Sequence, residues 1–199
     1  MRNFMFFLSF FISVNCLSQF GTQAGLTHSN NTATSFLPNN EIKLNLGFYL
    51  STFFTYKIND NIKLKSELNI YQGGYTGEAA GYESNYNYNV KYNFIGLSEK
   101  LYFVITTKWH VGIGIGLHYI LSGNSTHEYN GNITHYEINP YSDFFLDKFI
   151  FNGAINVCYI VNKKWFIDLE YKKNIATGRL QFNTNEKYHV LKLGVGFYI

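Results

Sequence analysis

Large apolar residues recur at every second position along much of the chain. The run "WHVGIGIGLHYIL" shows the pattern most plainly: Trp109, Val111, Ile113, Ile115, Leu117, Tyr119 and Leu121 are bulky, while the positions between them are mostly Gly or His. A spanning helix needs about 20 apolar residues, so this run is too short to be one. Period two is the mark of a strand whose two faces meet different surroundings.

The same alternation predicts further strands. In "IKLNLGFYLSTFFTYKI" the even positions from Ile42 to Ile58 are apolar apart from Thr52. In "NIKLKSELNIYQ", Ile62, Leu64, Leu68 and Ile70 alternate with Lys63, Lys65, Glu67 and Asn69. "WFIDLEYK" sets Trp165, Ile167, Leu169 and Tyr171 against Phe166, Asp168, Glu170 and Lys172. "YHVLKLGVGFYI" sets Leu191, Leu193, Val195 and Phe197 against Lys192, Gly194 and Gly196. "FIFNGAINVCYIV" alternates less cleanly, and "FGTQAGLTHS" and "YNVKYNFIGLSEKLYFVI" complete a set of eight strands.

The connections fall into two kinds. "NDN", "TTK" and "NKK" are short turns rich in turn formers. Between them lie long polar segments at about 29–41, 72–88, 122–145 and 173–186, so long and short connections alternate strictly. That order predicts an all-β fold, an eight-stranded antiparallel up-and-down transmembrane β-barrel with short periplasmic turns and long extracellular loops. Trp109 and Trp165 follow short turns, Tyr56, Phe103 and Tyr159 precede them, and Phe197 lies near the C-terminus. These residues form a girdle at one height on the outward face, where an amphipathic ring is best placed.

If the bulky stripe faces lipid, Gly112, Gly114 and Gly116 face the lumen. An eight-stranded barrel is just wide enough to be filled by side chains. The glycines then make room for Lys63, Lys65, Glu67, Lys91, Asp168, Glu170 and Lys192, which are expected to form a plug of ion pairs and Tyr/Asn hydrogen bonds. One strand resists. In "FIGLSEKLYF" the outward set moves from Phe94 to Leu97 and Leu101, and strict alternation sends Glu99 into lipid. A midplane charge there costs up to about 2–4 kcal/mol, less for Glu than for Lys. A one-residue bulge near Ser98–Glu99 would relieve this, and regular pairing through residues 96–101 would refute it.

Composition narrows the class. The chain has 199 residues, and its net charge of +3 is too mild to argue for nucleic acid. Charged residues make up 15 %, against about 25 % in soluble domains. The first stretch, "MRNFMFFLSFFISVNCLSQ", has a basic start, an apolar run and a small, polar end. It reads as a secretory signal over residues 1–18, leaving a barrel domain over 19–199. Cys158 is then the only thiol, and no internal disulfide can form.

Several of these stretches resemble a known family. "FGTQAGLTHS" is similar to the Gly-x-x-Ala-Gly opening of the PorT-like outer-membrane β-barrel domain family. "NFIGLSEKLYF" resembles its fourth strand, with Gly96 where Pro is usual, and "IDLEYKKNIATG" resembles its seventh. "VLKLGVGFYI" is similar to a C-terminal assembly signal, although it ends in Tyr198-Ile199 rather than Phe. The resemblance implies a barrel in the outer membrane of a Gram-negative cell envelope, inserted by the barrel assembly machinery. It also implies a role as an accessory to protein secretion.

Candidate chemistry is sparse. His127, His135, Glu128 and Glu137 share the longest polar segment and are the candidate metal ligands, with solvated loop polarity the simpler reading. His110 and His118 are eight residues apart on the inward face, too far to share a metal, and read as lumen filling. Ser66 and Glu67 fall on opposite faces, and Ser51 has no assignable His, so no Ser-His-acid set is found and no enzyme is expected. No catalytic, cofactor-binding or metal residue is assigned, and no cofactor is expected. Tyr71, Tyr75, Tyr82, Tyr86, Tyr88, Tyr129 and Tyr136 are placed in the loops as an adaptable surface for a protein or glycan partner. Outer-membrane lipid is the expected surrounding. The competing reading is a secreted, soluble, lipocalin-like barrel that binds a small apolar ligand, in which the lysines would lie outside and the aliphatic residues inside.

Overall fold

The structure is a computed structural model, and it describes residues 18–32, 41–43, 45–80, 85–138, 149–175 and 187–199. The proposed signal segment, up to residue 17, lies outside them. The described strands are β1 (Ser18–Thr32), β2 (Glu41–Lys43), β3 (Asn45–Lys57), β4 (Ile62–Ala80) and β5 (Asn85–Val104). They continue as β6 (Trp109–Tyr129), β7 (Asn132–Ile138), β8 (Phe149–Ile160), β9 (Trp165–Asn174) and β10 (Lys187–Tyr198).

Eight of these strands close into a barrel. Antiparallel pairing runs β4–β3–β1–β10–β9–β8–β6–β5, and β5 pairs back onto β4. The remaining two are extensions: β2 lies on the upper part of β4, and β7 on the upper part of β6. Following the paired residues once around the wall links Ser18, Tyr56, Leu64, Leu101, Ile113, Ile155, Tyr171 and Leu191 and returns to β1 at His28. The return point lies ten residues above the start. This stagger requires steeply inclined strands, tilted by about 35–45° from the barrel axis.

The three short turns match those read from the sequence. At each, a side-chain oxygen accepts backbone N–H groups: Asn59 Oδ1 from Asn61, Thr106 Oγ1 from Lys108 and Trp109, and Asn162 Oδ1 from Lys164 and Trp165. Asn, Asp and Thr are turn formers for this reason.

The other end differs from expectation. β4 and β5 remain paired from Ile62 and Phe103 up to Ala80 and Asn85. Near 3.3 Å per residue, strands of 19 and 20 residues far exceed the 9–11 or so that cross a membrane. Much of the polar segments at 72–88 and 122–145, expected as loops, is therefore strand. β2, β4, β5, β6 and β7 form one sheet that stands above the barrel. At its tip β6 and β7 are joined by Asn130-Gly131, both at positive φ (47° and 79°), the conformation of a tight hairpin turn.

The alternation sorts the side chains as the pattern required. Leu46, Leu97, Ile113 and Leu193 are more than half exposed on the outside, whereas Lys65, Lys100, Lys172 and Lys192 are 1–4 % exposed inside. This is the reverse of a lipocalin-like carrier, so the soluble reading is overturned. Trp109 stacks obliquely on Tyr159 and Trp165 on Phe197, each with ring centroids 4.8 Å apart. The expected girdle thus encircles the short-turn end.

Four placements are corrected. Pairing is regular through residues 96–101, so there is no bulge at Ser98–Glu99. The irregularity lies higher, where Asn93 faces Ser122 but Phe94 faces Ile120, leaving Leu121 as the extra residue of β6. With alternation unbroken, Gly96, Ser98, Lys100 and Tyr102 face inward, and Phe94 joins them, 1 % exposed. Lys91, expected in the lumen, is exposed, because it has the same parity as outward Leu97. Tyr71, expected in a loop, is 2 % exposed within the barrel.

Candidate functional site: the lumen and the surfaces around it

The lumen is filled in layers. Toward the long-connection end, Tyr49, Tyr71, Val90, Tyr92, Phe94, Ile120 and Val190 form an apolar cluster, with Tyr71 stacked on Phe94 at 4.7 Å. Toward the short turns, Phe53, Tyr102, Cys158 and Phe166 form a second. Between them lies a charged layer.

Two carboxylates organise that layer. Glu170 on β9 pairs with Lys100 on β5, with Lys172 at 2.8 Å and with Lys192 at 3.9 Å, and it accepts a 2.8 Å hydrogen bond from Asn156. Glu67 on β4 accepts from Lys100 at 2.8 Å and pairs with Lys65 at 3.5 Å. A third, Asp168, accepts from Gln23 and Tyr102. Lys65 donates to Gln23 Oε1 at 2.8 Å, and Gln23 in turn donates to the Tyr49 hydroxyl at 2.6 Å. Four buried lysines thus face three buried carboxylates, and aromatic rings supply further stabilisation of the cations. Lys192 lies 4.4 Å from the Tyr71 ring centroid and 4.9 Å from that of Tyr49, and Lys65 lies 4.2 Å from that of Phe53. Burying this many charges is tolerable only with such partners; Lys192 Nζ, which makes no hydrogen bond, relies on the Glu170 charge and the Tyr rings.

The glycines make room inside the lumen, but for other groups than those expected: a Cβ on Gly112 would meet the Tyr102 ring, and one on Gly114 the Lys100 side chain. A Cβ on Gly116 would meet the His118 ring at 2.7 Å, Asn152 Oδ1 at 2.8 Å and Ser98 Oγ at 3.0 Å. His118 is fully buried and within hydrogen-bonding distance of Asn152 and Lys172. His110 is buried nearer the short turns, so the two histidines are held apart as expected. Beside His110 a recess of about 10 Å³ is lined by Thr55, Lys63, Lys65, Tyr102 and Cys158, room for about one water.

The candidate metal quartet does not converge. His127 and Glu128 are on β6, and His135 and Glu137 are on β7. His135 contacts Thr126 and His127 contacts Ser125, while Asn87 donates to Glu128. Among the described residues no group of three or more potential ligands could hold a metal ion. Ser66 faces outward and Glu67 inward, as alternation requires. Ser66 donates a 2.7 Å hydrogen bond to Glu99 on the outer surface. The sequence marked Glu99 as an anomaly but did not reveal this partner, which only the β4–β5 register supplies.

At the short-turn end, Lys57 forms an ion pair with Asp60 at 2.5 Å and holds its carboxyl below the usual carboxylate range.

No family model matches the chain, and no curated protein sequence matches it. Solved structures do. The chain is similar to Ail, the attachment invasion locus protein of Yersinia pestis, with TM-score 0.52 and 13 % identity over 92 % of this chain and 99 % of that one. It is similar to Neisserial surface protein A, with TM-score 0.51 and 17 % identity over 90 % and 97 %. OprG from Pseudomonas aeruginosa matches with TM-score 0.50 and 11 % identity over 92 % and 96 %. The fold is therefore that of the eight-stranded bacterial outer-membrane barrels, and the apolar outer band with its aromatic girdle is a membrane-facing surface.

Proposed function

We propose that the protein is a non-conducting outer-membrane barrel that anchors a protruding β-sheet at the cell surface, where the sheet binds a protein or glycan partner. One observation carries this reading: the lumen is closed by the Glu67–Lys100–Glu170 network while β4, β5 and β6 continue, still paired, well beyond membrane thickness. A channel for solutes needs the reverse, an open lumen. One face of the extension offers Tyr129 and Tyr136 and the opposite face Ile133, each more than half exposed, and Tyr gives contact area at low entropic cost. We read the protein as non-enzymatic, since among the described residues His118, Glu67, Asp168 and Glu170 are taken up by lumen packing and pairing.

The finer assignment, a PorT-like protein that works as an accessory to secretion machinery, is supported by the order of the motifs "FGTQAGLTHS", "NFIGLSEKLYF", "IDLEYKKNIATG" and "VLKLGVGFYI" along the chain.

Purified protein in planar bilayers tests the closed lumen. The expected result is a flat current, and stepwise conductance would overturn the reading. Binding at the sheet is tested by cross-linking whole cells expressing the wild type or the triple variant Tyr129→Ser, Ile133→Ser, Tyr136→Ser. Loss of cross-linked partners in the variant supports the platform role, and an unchanged pattern overturns it.

A further inference from the structure

Glu99 points into the membrane at mid-depth. On β5 it is the third outward residue counted from the girdle, after Phe103 and Leu101, and Leu97 and Ile95 follow it. Four residues along a strand tilted by about 40° rise about 10 Å, close to the middle of an apolar band about 25 Å tall. Counting outward positions from the girdle in the same way gives the residue at equal depth on every strand. On β4, β3 and β1 these are Ser66, Thr52 and Ala24. On the other four strands, β6, β8, β9 and β10, they are Ile113, Ile155, Leu169 and Leu193. Half of the equator is thus aliphatic, and the other half is an unbroken ribbon of small and polar groups.

Acyl chains offer no hydrogen-bond donor to such a ribbon. Ser66 donates to Glu99 Oε2, and a carboxyl group has acceptor capacity beyond one bond. At this depth the chain itself provides a further donor, the hydroxyl of Thr52. A two-fold axis along the membrane normal keeps every residue at its own depth and reverses the order of the strands. If that axis passes beside β4, then β5 of one copy faces β3 of the other. Glu99 then meets Thr52 of the second copy twice over, with the two Ser66 residues at the centre. The ribbon reads donor, donor, acceptor from β3 to β5, which makes it self-complementary, as an isologous interface must be.

We propose that this face, centred on Thr52, Ser66 and Glu99, is the interface of a two-fold homodimer within the membrane. Two convex barrels touch along only about three strands, and these three carry the complementary groups. The aliphatic half remains toward lipid.

The full chain is tested in outer membranes, in a Cys16→Ala, Cys158→Ala background so that introduced thiols report alone. Leu68→Cys lies on β4 beside the axis, and Leu169→Cys lies on the aliphatic half. A short bismaleimide should give homodimer with Leu68→Cys about tenfold more efficiently than with Leu169→Cys. Adding Thr52→Val should lower the Leu68→Cys yield about tenfold, whereas Thr52→Ser, which keeps the donor, should preserve it. Folding of each variant is checked by its shift on unheated gels, and Leu64→Cys on the same strand replaces any reporter that fails. Equal yields at the two faces, monomer alone, or a cross-link to a different protein would overturn the proposal.

Discussion

Lys100 on β5 and Glu170 on β9 form an ion pair through the interior of the barrel, between strands that β6 and β8 separate along the wall. The contact crosses the lumen rather than following the wall. The pair joins the Glu67 cluster to the Lys172 and Lys192 cluster, so the charged layer is one network rather than two.

Removing one member should therefore be costly. Glu170→Leu leaves Lys100, Lys172 and Lys192 short of a counter-charge in a closed interior, and the expected loss is about 3–5 kcal/mol. Replacing both partners, Glu170→Leu with Lys100→Met, should cost less than the sum of the single changes. Urea unfolding in lipid vesicles, followed by tryptophan fluorescence, measures both.

Two glycines on neighbouring strands should respond in opposite ways. Gly116 on β6 faces the lumen, where a Cβ would press on His118, Asn152 and Ser98 within 3.0 Å. Gly153 on β8 faces outward, and its Cβ would meet only Ile175, at 3.2 Å. Gly116→Ala should destabilise the barrel by about 1–3 kcal/mol. Gly153→Ala should be neutral or stabilising by under about 1 kcal/mol, because it relieves the entropic cost of glycine in a strand. The same urea midpoints separate the two.

The contrast between these glycines also shows what could be read from the sequence. Where one face of a strand meets hydrocarbon and the other a packed lumen, alternation is strong, and "WHVGIGIGLHYIL" declared both faces and the need for space inside. Above the membrane neither face of β4, β5 and β6 meets hydrocarbon, and Tyr75 and Tyr88 pack back onto the apolar cluster of the lumen. Residues such as Asn87, Tyr88 and Asn89 then carry no contrast, so a paired strand reads as a loop. Phe94 departs from expectation for a related reason: an aromatic ring serves a lipid face and an aromatic lumen layer equally well, and only register decides between them. Glu99 was placed correctly by alternation alone. The bulge invoked to remove it assumed that no neighbour could satisfy it, and Ser66 does.

Asp60 gives a pH-dependent signature at the short-turn end. Its carboxyl is held below the ordinary range first by the hydrogen bond from Lys57 and then by that residue's charge. The pair's contribution is present above the ordinary carboxylate pKa and is lost as pH falls through the lowered folded value. Lys57→Ala should raise the Asp60 pKa toward that of a free carboxylate, and an NMR titration of the side-chain carboxyl in detergent micelles follows it. An unchanged titration would show that Lys57 does not hold the group.

The direction of insertion is testable at two turns. Asn130-Gly131 joins β6 to β7 at the tip of the protruding sheet, with both residues exposed and both at positive φ. Asn162-Lys163 lies in the short turn between β8 and β9, beside Trp165 of the girdle. Exposed turn tips tolerate insertions because little packing depends on them. An epitope tag at the first site should be labelled by antibody on intact cells, since long connections face outward in such barrels. A tag at the second should be labelled only after the outer membrane is permeabilised. The opposite pattern would invert the barrel, put the protruding sheet on the periplasmic side and remove the surface role proposed for it.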